Sequence, residues 1–395
     1  MLAKSLAQIV AITAMSLRSI PQRLAPSIVA AAGVAGVVLV LVGVLSMREG
    51  FRAVLAQSGA EDVAIVMRSG ATDEMGSTLA LAQTRLIEDA TGVARDDRGA
   101  ITSPELYVIV DVPLKSTGTS ANVPLRGVGP RAAELRKHFK IVAGRNFTPG
   151  TFEVIVGRGA ARQFAGLDVG ARLRWGTTEW RVVGMFEDNG SVAESELWSD
   201  ASVLQGVYNR GTSYQSQRVR LQDSRSLRAF KDALSQDPRL NVHVQTERAY
   251  HEEKSATMIA LISVAGGTIG LLMGLGAIFG ALNTMYSAVA ARTREIATLR
   301  ALGFGAGPIV ISVLAEALLL GVIGGVVGGA LAYLGFNGIQ ASTMNGFNQM
   351  TFAFSVTPQL LLQGIAYALI LGFIGGALPS LRAARMPITT GLREL

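Results

Sequence analysis

Three histidines, His138, His243 and His251, are the residues of this chain best suited by type to hold a metal or move a proton, and their spacing supports neither task. No H-E-x-x-H helix pair is present. His251 precedes Glu252 and Glu253, a set able to ligate a metal in principle, yet its position just ahead of a long uncharged stretch reads as the solvated start of a helix. Gly157-Arg158-Gly159 is half of a dinucleotide-binding fingerprint, without the third glycine and later acidic residue that complete it, and reads as a turn. Ser-x-x-Lys, G-x-S-x-G and carboxylate-pair patterns give nothing specific. The absence of cysteine excludes thiolate metal sites and disulfides. The sequence therefore assigns no catalytic, metal-ligating or cofactor-binding residue to this chain.

Two other features carry more information. In the run from Asn283 to Gly303, Ile296, Leu299 and Gly303 share one helical face while Arg292, Arg294, Glu295 and Arg300 spread around it. That pattern predicts a short surface helix with an apolar strip and fixed charges, suited to plug into a groove on a partner. Glu316 is the only charged side chain between Ala301 and Leu381. A carboxylate at the centre of a membrane helix costs about 2.5–3.5 kcal/mol on insertion scales, so it should face protein or water and have a partner. No basic residue lies within the apolar stretches, which leaves backbone groups, Asn283 or Thr284 as the expected partners of a neutral Glu316.

The elements that position these residues are membrane spans. Leu24–Met47 and Ser255–Ala291 contain no charged residue at all, and roughly 20 apolar residues cross a bilayer. Four spans are expected, at 26–47, 256–283, 308–335 and 358–381. The polar stretch between the last two, 336–357, reads as a short outer loop. The Ser255–Ala291 stretch, at 1.5 Å per residue, reaches about 55 Å, well beyond a bilayer core. Glycines recur every four residues at Gly266, Gly270 and Gly274 and at Gly321, Gly325 and Gly329, with Gly324, Gly328, Gly372 and Gly376 beside them. Small residues at this interval let helix backbones approach closely, within one subunit or across a dimer seam.

The formal net charge of +7 does not indicate nucleic acid. Residues 48–254 hold 27 basic and 26 acidic side chains, so almost all the excess flanks the spans. Lys4, Arg18 and Arg23, then Arg292, Arg294 and Arg300, then Arg382, Arg385 and Arg393 mark both termini and the second-to-third loop as cytoplasmic. Residues 1–25, with Leu6, Ile9, Val10, Thr13 and Leu17 at helical spacing, read as an amphipathic interfacial helix and not as a secretory leader. The tail is 382–395.

Residues 48–255 form the expected extracytoplasmic domain. Strand, helix and strand patterns at Val63–Met67, Leu79–Ala90 and Leu106–Val112 are matched by a second set at Arg218–Leu221, Ser224–Leu234 and Leu240–Val244. These predict a split α/β sandwich from 48–112 and 215–255. Short strands at Asn122–Val128, Glu153–Gly157, Ala171–Trp175 and Trp180–Met185 predict an inserted β-rich subdomain, 113–214. The fold class is thus an α-helical membrane protein with four transmembrane helices and a large α+β outer domain.

The segment Arg292-Thr-Arg-Glu-Ile-Ala-Thr-Leu-Arg-Ala-Leu-Gly303 resembles the cytoplasmic loop of MacB/FtsX-like ABC transporter permeases. Gly144-Arg145-x-Phe147, Glu153–Gly157, Val169-Gly170, Trp180–Gly184 and the closing run from Pro387 to Arg393 are similar to the same family, and the likeness covers nearly the whole chain. The resemblance implies a bacterial inner-membrane subunit whose coupling helix, carried by Arg294, Glu295, Ile296 and Arg300, docks on a cytoplasmic ABC ATPase dimer. It implies a second permease copy or homologue, with the glycine stripes at a dimer seam. It also admits a periplasmic adaptor and an outer-membrane channel as further partners. No G-x-x-x-x-G-K-[ST] phosphate loop is present, so ATP and Mg²⁺ are expected on a separate ATPase. Efflux by mechanotransmission is the expected role. Release of lipidated proteins, or signalling to cell-wall hydrolases, are the alternatives within the family, and a secondary carrier is a distant one.

Overall fold

The computed structural model describes residues 8–15, 24–345 and 348–387. Residues 8–15 form helix α1 and Leu24–Gln57 form α2. Then come strands β1 (Val63–Arg68) and β2 (Leu79–Ala80), helix α3 (Leu81–Glu88), the short pair β3 (Arg95–Asp96) and β4 (Gly99–Ala100), and the longer β5 (Thr102–Pro113) and β6 (Ser120–Val128). They are followed by β7 (Lys140–Gly144), β8 (Glu153–Gly157), α4 (Arg158–Gln163), β9 (Arg172–Trp175), β10 (Thr178–Glu187), β11 (Leu197–Asp200) and α5 (Ala201–Val207). Strands β12 (Ser213–Tyr214) and β13 (Ser216–Arg220), helix α6 (Ser226–Gln236) and β14 (Val242–Thr246) precede the helices α7 (Glu247–Ala291), α8 (Thr293–Ala301) and α9 (Ala306–Phe336). Strands β15 (Gln340–Asn345) and β16 (Asn348–Ala353) and helix α10 (Pro358–Arg385) complete the order. The contacts divide the chain into a helical unit (residues up to Gly50, Ala260–Ile339 and from Ala353) and an α/β unit (Phe51–Ile259 and Gln340–Phe352).

In the helical unit α2, α7, α9 and α10 are each long and apolar enough to cross a membrane. All four run past the apolar stretches that announce them. The termini follow ordinary helix chemistry. Thr357 caps α10 by accepting from the Leu360 amide at 3.3 Å, with Pro358 in the first turn. Helix α8 stops at Gly303, whose φ of +94° suits only a residue without a β-carbon, while Phe304 N–H reaches Leu299 O and Gly303 N–H reaches Arg300 O.

The glycine stripes are used inside the chain. A β-carbon at Gly321 or Gly372 would lie 2.9 Å from the carbonyl oxygens of Ala368 and Ala317, so α9 and α10 meet backbone to backbone. Gly325 faces Ala368 and Gly329 faces Leu361, also on α10. On α7, Gly266 and Gly270 face Val44 and Leu41 of α2, and Gly274 faces Tyr367, whose hydroxyl donates to Gly270 O at 2.7 Å. All six glycines of the two stripes meet helices of their own chain. A β-carbon at Gly324 would sit 2.7 Å from Ala31 O on α2 and 2.8 Å from Val34, atoms that cannot yield without moving a helix. Gly324→Ala is expected to cost about 1–3 kcal/mol, read as a lower melting temperature of the full chain in detergent. Gly276→Ala, which meets open space, is the near-neutral control.

In the α/β unit the sheet runs in the order β14-β1-β13-β5-β6-β11-β8-β10-β7, with β9 on β10. Strand β5 is why there is no clean cut between a split sandwich and an insertion. Its first residues pair with β13, Thr102 to Val219 and Glu105 to Ser216, and its remainder pairs with β6, Leu106 to Gly127 and Pro113 to Ser120. Around β1 and β13 the core is Ala64, Val66, Val219, Ile87, Phe230 and Leu234, which seats α3 and α6 on the sheet. Beyond β5, Leu106, Val108, Val110 and Val112 alternate into a second core with Trp180 and Phe164. Gly157-Arg158-Gly159 is not a plain turn. It opens α4, and a β-carbon at Gly159 would lie 2.9 Å from Glu194 O, so these glycines serve a close backbone approach.

The polar loop 336–357 contains the β15 and β16 pair. In the amino-terminal segment Ile12 is buried and Val10 exposed; Leu6, Leu17 and the basic residues Lys4, Arg18 and Arg23 lie outside the described residues, as does Arg393.

Candidate functional site

The loop between α7 and α9 is built around one residue, Arg292. Helix α7 ends at Ala291, and Arg292, with φ −107° and ψ 11°, breaks the helical path and becomes the N-cap position of α8. The break turns its side chain inward. Arg292 Nη1 donates to Glu316 Oε2 at 3.0 Å, with only 8% and 6% of the two side chains exposed. This corrects the expectation for Glu316: its partner is a guanidinium, and the neutral carboxyl bonded to Asn283, Thr284 or backbone is replaced by an ion pair. Asn283 is exposed, and the Thr284 hydroxyl donates to Gly280 O. The cation is close in space because the helices run antiparallel, although it lies outside every apolar stretch.

Burial divides the other loop residues. Ile296 points inward, into a core with Ile12, Met285, Val289, Ile309 and Val313, so the apolar strip of α8 is spent on its own chain. Leu299 is half-buried, and Arg300 Nη1 donates to Met386 O at 2.5 Å, tying α8 to the end of α10. Arg294 and Glu295 face outward, as does Leu302, which is 71% exposed. A cavity of about 480 Å³ opens beside the ion pair, bordered by Ile12, Met15, Ile296, Leu299 and Ser312.

A second charged centre, in the α/β unit, is one the sequence reading missed. Arg126 on β6 grips Glu196 with two bonds, Nε to Oε2 at 2.8 Å and Nη2 to Oε1 at 2.7 Å. Its Nη1 reaches Glu74 at 2.8 Å and Glu105 at 2.9 Å, and its guanidinium lies 4.7 Å from the centre of the Tyr107 ring. Arg218 on β13 joins Glu105, Glu74 at 3.1 Å and Glu247 at 2.8 Å; Arg136 also holds Glu247. Trp198 Nε1 donates to Glu196 at 2.9 Å. Arg126, Arg218, Glu74, Glu105, Glu196 and Glu247 are buried, and Arg136 is half-buried. Burial by itself raises the carboxyls of Glu74 and Glu196; the Arg126 charge and bonds, with Arg218, outweigh it and hold both below the usual glutamate range. His251, read as part of a solvated helix start, is half-buried and borders the same centre. The missed signal was a strand alternation: Glu105 and Tyr107 stand between the core residues of β5, and a polar alternate face ordinarily means solvent.

Among the described residues, four helices long and apolar enough to cross a membrane, a short charged helix between two of them and a large α/β unit after the first define the architecture of a multi-pass membrane protein. The comparisons agree along the chain: the model for the MacB-like periplasmic core domain matches residues 27–237 and the FtsX-like permease C-terminal model matches 257–388. The chain belongs to the MacB/FtsX-like permease family of ABC transporters. Among its relatives, the macrolide export ATP-binding/permease protein MacB 1 of Aeromonas hydrophila is 25% identical over 333 residues, 79% of this chain and 49% of that protein. The MacB protein of Escherichia coli is 26% identical over 328 residues, 77% of this chain and 48% of that one. The chain thus spans about half the length of these curated relatives. The periplasmic region of MacB from Actinobacillus actinomycetemcomitans aligns with 50% of this chain and 94% of its own, at 14% identity and a TM-score of 0.39.

Proposed function

We propose that this chain is the permease subunit of an ATP-driven exporter of the bacterial inner membrane, working by mechanotransmission with a separate cytoplasmic ATPase dimer and a second permease copy. The observation that carries the reading is α7. It is one helix of 45 residues, about 67 Å at 1.5 Å per residue. Its first turn holds Glu247, fixed by Arg218 and Arg136 in the α/β unit, and its last residue adjoins α8. A helix anchored at one end and joined to a charged loop at the other passes a push along its axis. The positive flanks support a cytoplasmic side for both termini and α8 and an outer side for the α/β unit. On this reading ATP and Mg²⁺ sit on the partner ATPase, whose closure moves α8, and the α/β unit works on a hydrophobic, peptide or lipid-linked cargo, with a periplasmic adaptor and outer-membrane channel as further partners.

Arg294 and Glu295 are the docking residues in this proposal, because they are the charged side chains of α8 that face outward. Arg294→Glu combined with Glu295→Lys is expected to weaken copurification with the partner ABC ATPase by about tenfold, or 1.4 kcal/mol, without lowering the melting temperature. Undiminished association would remove α8 from the interface.

A further inference from the structure

The end of the helical unit carries a second cleft, apart from the cavity at the Arg292–Glu316 pair, that neither the permease reading nor the coupling loop uses. It encloses about 880 Å³ between α7 and the last turns of α10. One wall is Tyr286, Val289 and Thr293. The other is Leu378, Leu381, Arg382 and Arg385, whose spacing of three, four and seven residues puts them on a single face of α10.

That face changes character along its length. Leu378 and Leu381 are 56% and 44% exposed, within a helix apolar enough to span a membrane. One turn later the two arginines are exposed, and the Arg382 guanidinium lies 5.4 Å from the centre of the Tyr286 ring. Among the described residues no carboxylate lines this cleft, whereas the cavity beside the ion pair is bordered by Glu316 and Glu295 as well as Arg292. One cleft is internally neutralised and the other presents two positive charges to whatever enters it.

We propose that this cleft binds an anionic phospholipid, its phosphate between Arg382 and Arg385 and an acyl chain along Leu381 and Leu378. The charge pattern selects this occupant. A soluble anion satisfies the arginines and leaves the leucine wall uncovered, and a zwitterionic lipid covers the leucines with no net charge to meet the arginines. Basic pockets between helices at the membrane edge select anionic headgroups in this way, and an interfacial tyrosine suits the same depth. The inference needs only that α7 and α10 cross the bilayer, and stands apart from the identity of any ATPase or cargo.

The test uses the full chain, purified and delipidated, in native mass spectrometry with equimolar phosphatidylglycerol and phosphatidylethanolamine of matched acyl chains. Wild type is expected to retain phosphatidylglycerol with about tenfold preference or more, and millimolar inorganic phosphate is expected not to displace it. Arg382→Gln with Arg385→Gln is expected to bring the preference close to one, while Arg294→Gln, outside the cleft, keeps it. Diazirine-labelled phosphatidylglycerol on the wild-type chain is expected to crosslink within 286–293 and 378–387, which tests the site even if the double variant does not fold. Equal retention of the two lipids, displacement by free phosphate, an unchanged preference in a folded double variant, or crosslinks confined to other helices would overturn the proposal.

Discussion

Arg126→Met is expected to lower the melting temperature of the α/β unit more than any other single substitution in it. The guanidinium holds Glu196, Glu74 and Glu105 at 2.7–2.9 Å inside a buried centre. Methionine keeps much of the volume and removes the charge. Breaking a buried pair from one side costs about 3–5 kcal/mol because the remaining charges stay out of water, which for a unit of this size means roughly 6–20 °C. Tryptophan fluorescence reports it cleanly, since all three tryptophans, Trp175, Trp180 and Trp198, belong to this unit. Arg172→Met removes a pair with Glu179 in which both side chains are largely exposed, and is expected to change little.

The pH dependence gives this prediction a sign. Glu74 and Glu196 are held below the usual glutamate range in the folded chain. The stability they contribute is fully present above about pH 4.3, the unfolded value, and is lost as pH falls through their folded values, because the unfolded chain then binds more protons. In Arg126→Met the same carboxylates keep their burial and lose their main cation, which raises them, so mild acidification from neutrality is expected to stabilise the variant. Wild type and variant should therefore move in opposite directions. Parallel pH profiles would show that Arg126 does not set the state of these carboxylates.

Arg292→Met is the second large effect. It removes the guanidinium that pairs with Glu316 on α9, whose side chain is 6% exposed, at an expected cost of about 3–5 kcal/mol. Glu316→Leu should cost less, because the longer arginine side chain, at the end of α7, can carry its charge toward the interface. Replacing both by Met and Leu should recover most of the loss, since a buried ion pair is often matched by apolar residues of similar volume. The measurement is the thermal aggregation midpoint of the full chain in detergent for the two single variants and the double. Additive losses would mean that the pair does not couple α9 to the loop.

These two centres are also where sequence reading and structure part company. The spans were legible because a bilayer penalises charge at every position along about 20 residues, so the gaps around α2, α7, α9 and α10 mark them with no knowledge of packing. Many elements of the α/β unit were legible too: Glu153–Gly157 is a strand with the bounds its apolar run predicts, and α6 follows from Leu227, Phe230 and Leu234 at helical spacing. Strands β7 and β11 were not, because Lys140–Gly144 is mostly exposed and Leu197–Asp200 buries three residues in a row, so neither shows a period of two. The expected partners of Glu316, Asn283 and Thr284, lie at a span's end, and the true one, Arg292, stands beyond the uncharged stretch, 24 positions from Glu316, where only the antiparallel return of α9 brings it into reach. Ile296 looked available to a partner because a helical stripe specifies a buried face without saying what buries it.

Composition and spacing alone settled the class of molecule, the number of spans, the site of the charged loop and the lack of a phosphate loop in the given chain, since each depends on local chemistry that any neighbour would leave intact. Folding decided the pairings: which helix each glycine meets, which cation neutralises Glu316, and that one face of β5 is covered, making its charges a buried centre. Those outcomes rest on contacts between residues far apart in sequence, and their energies arise only once distant elements have excluded water from the same space.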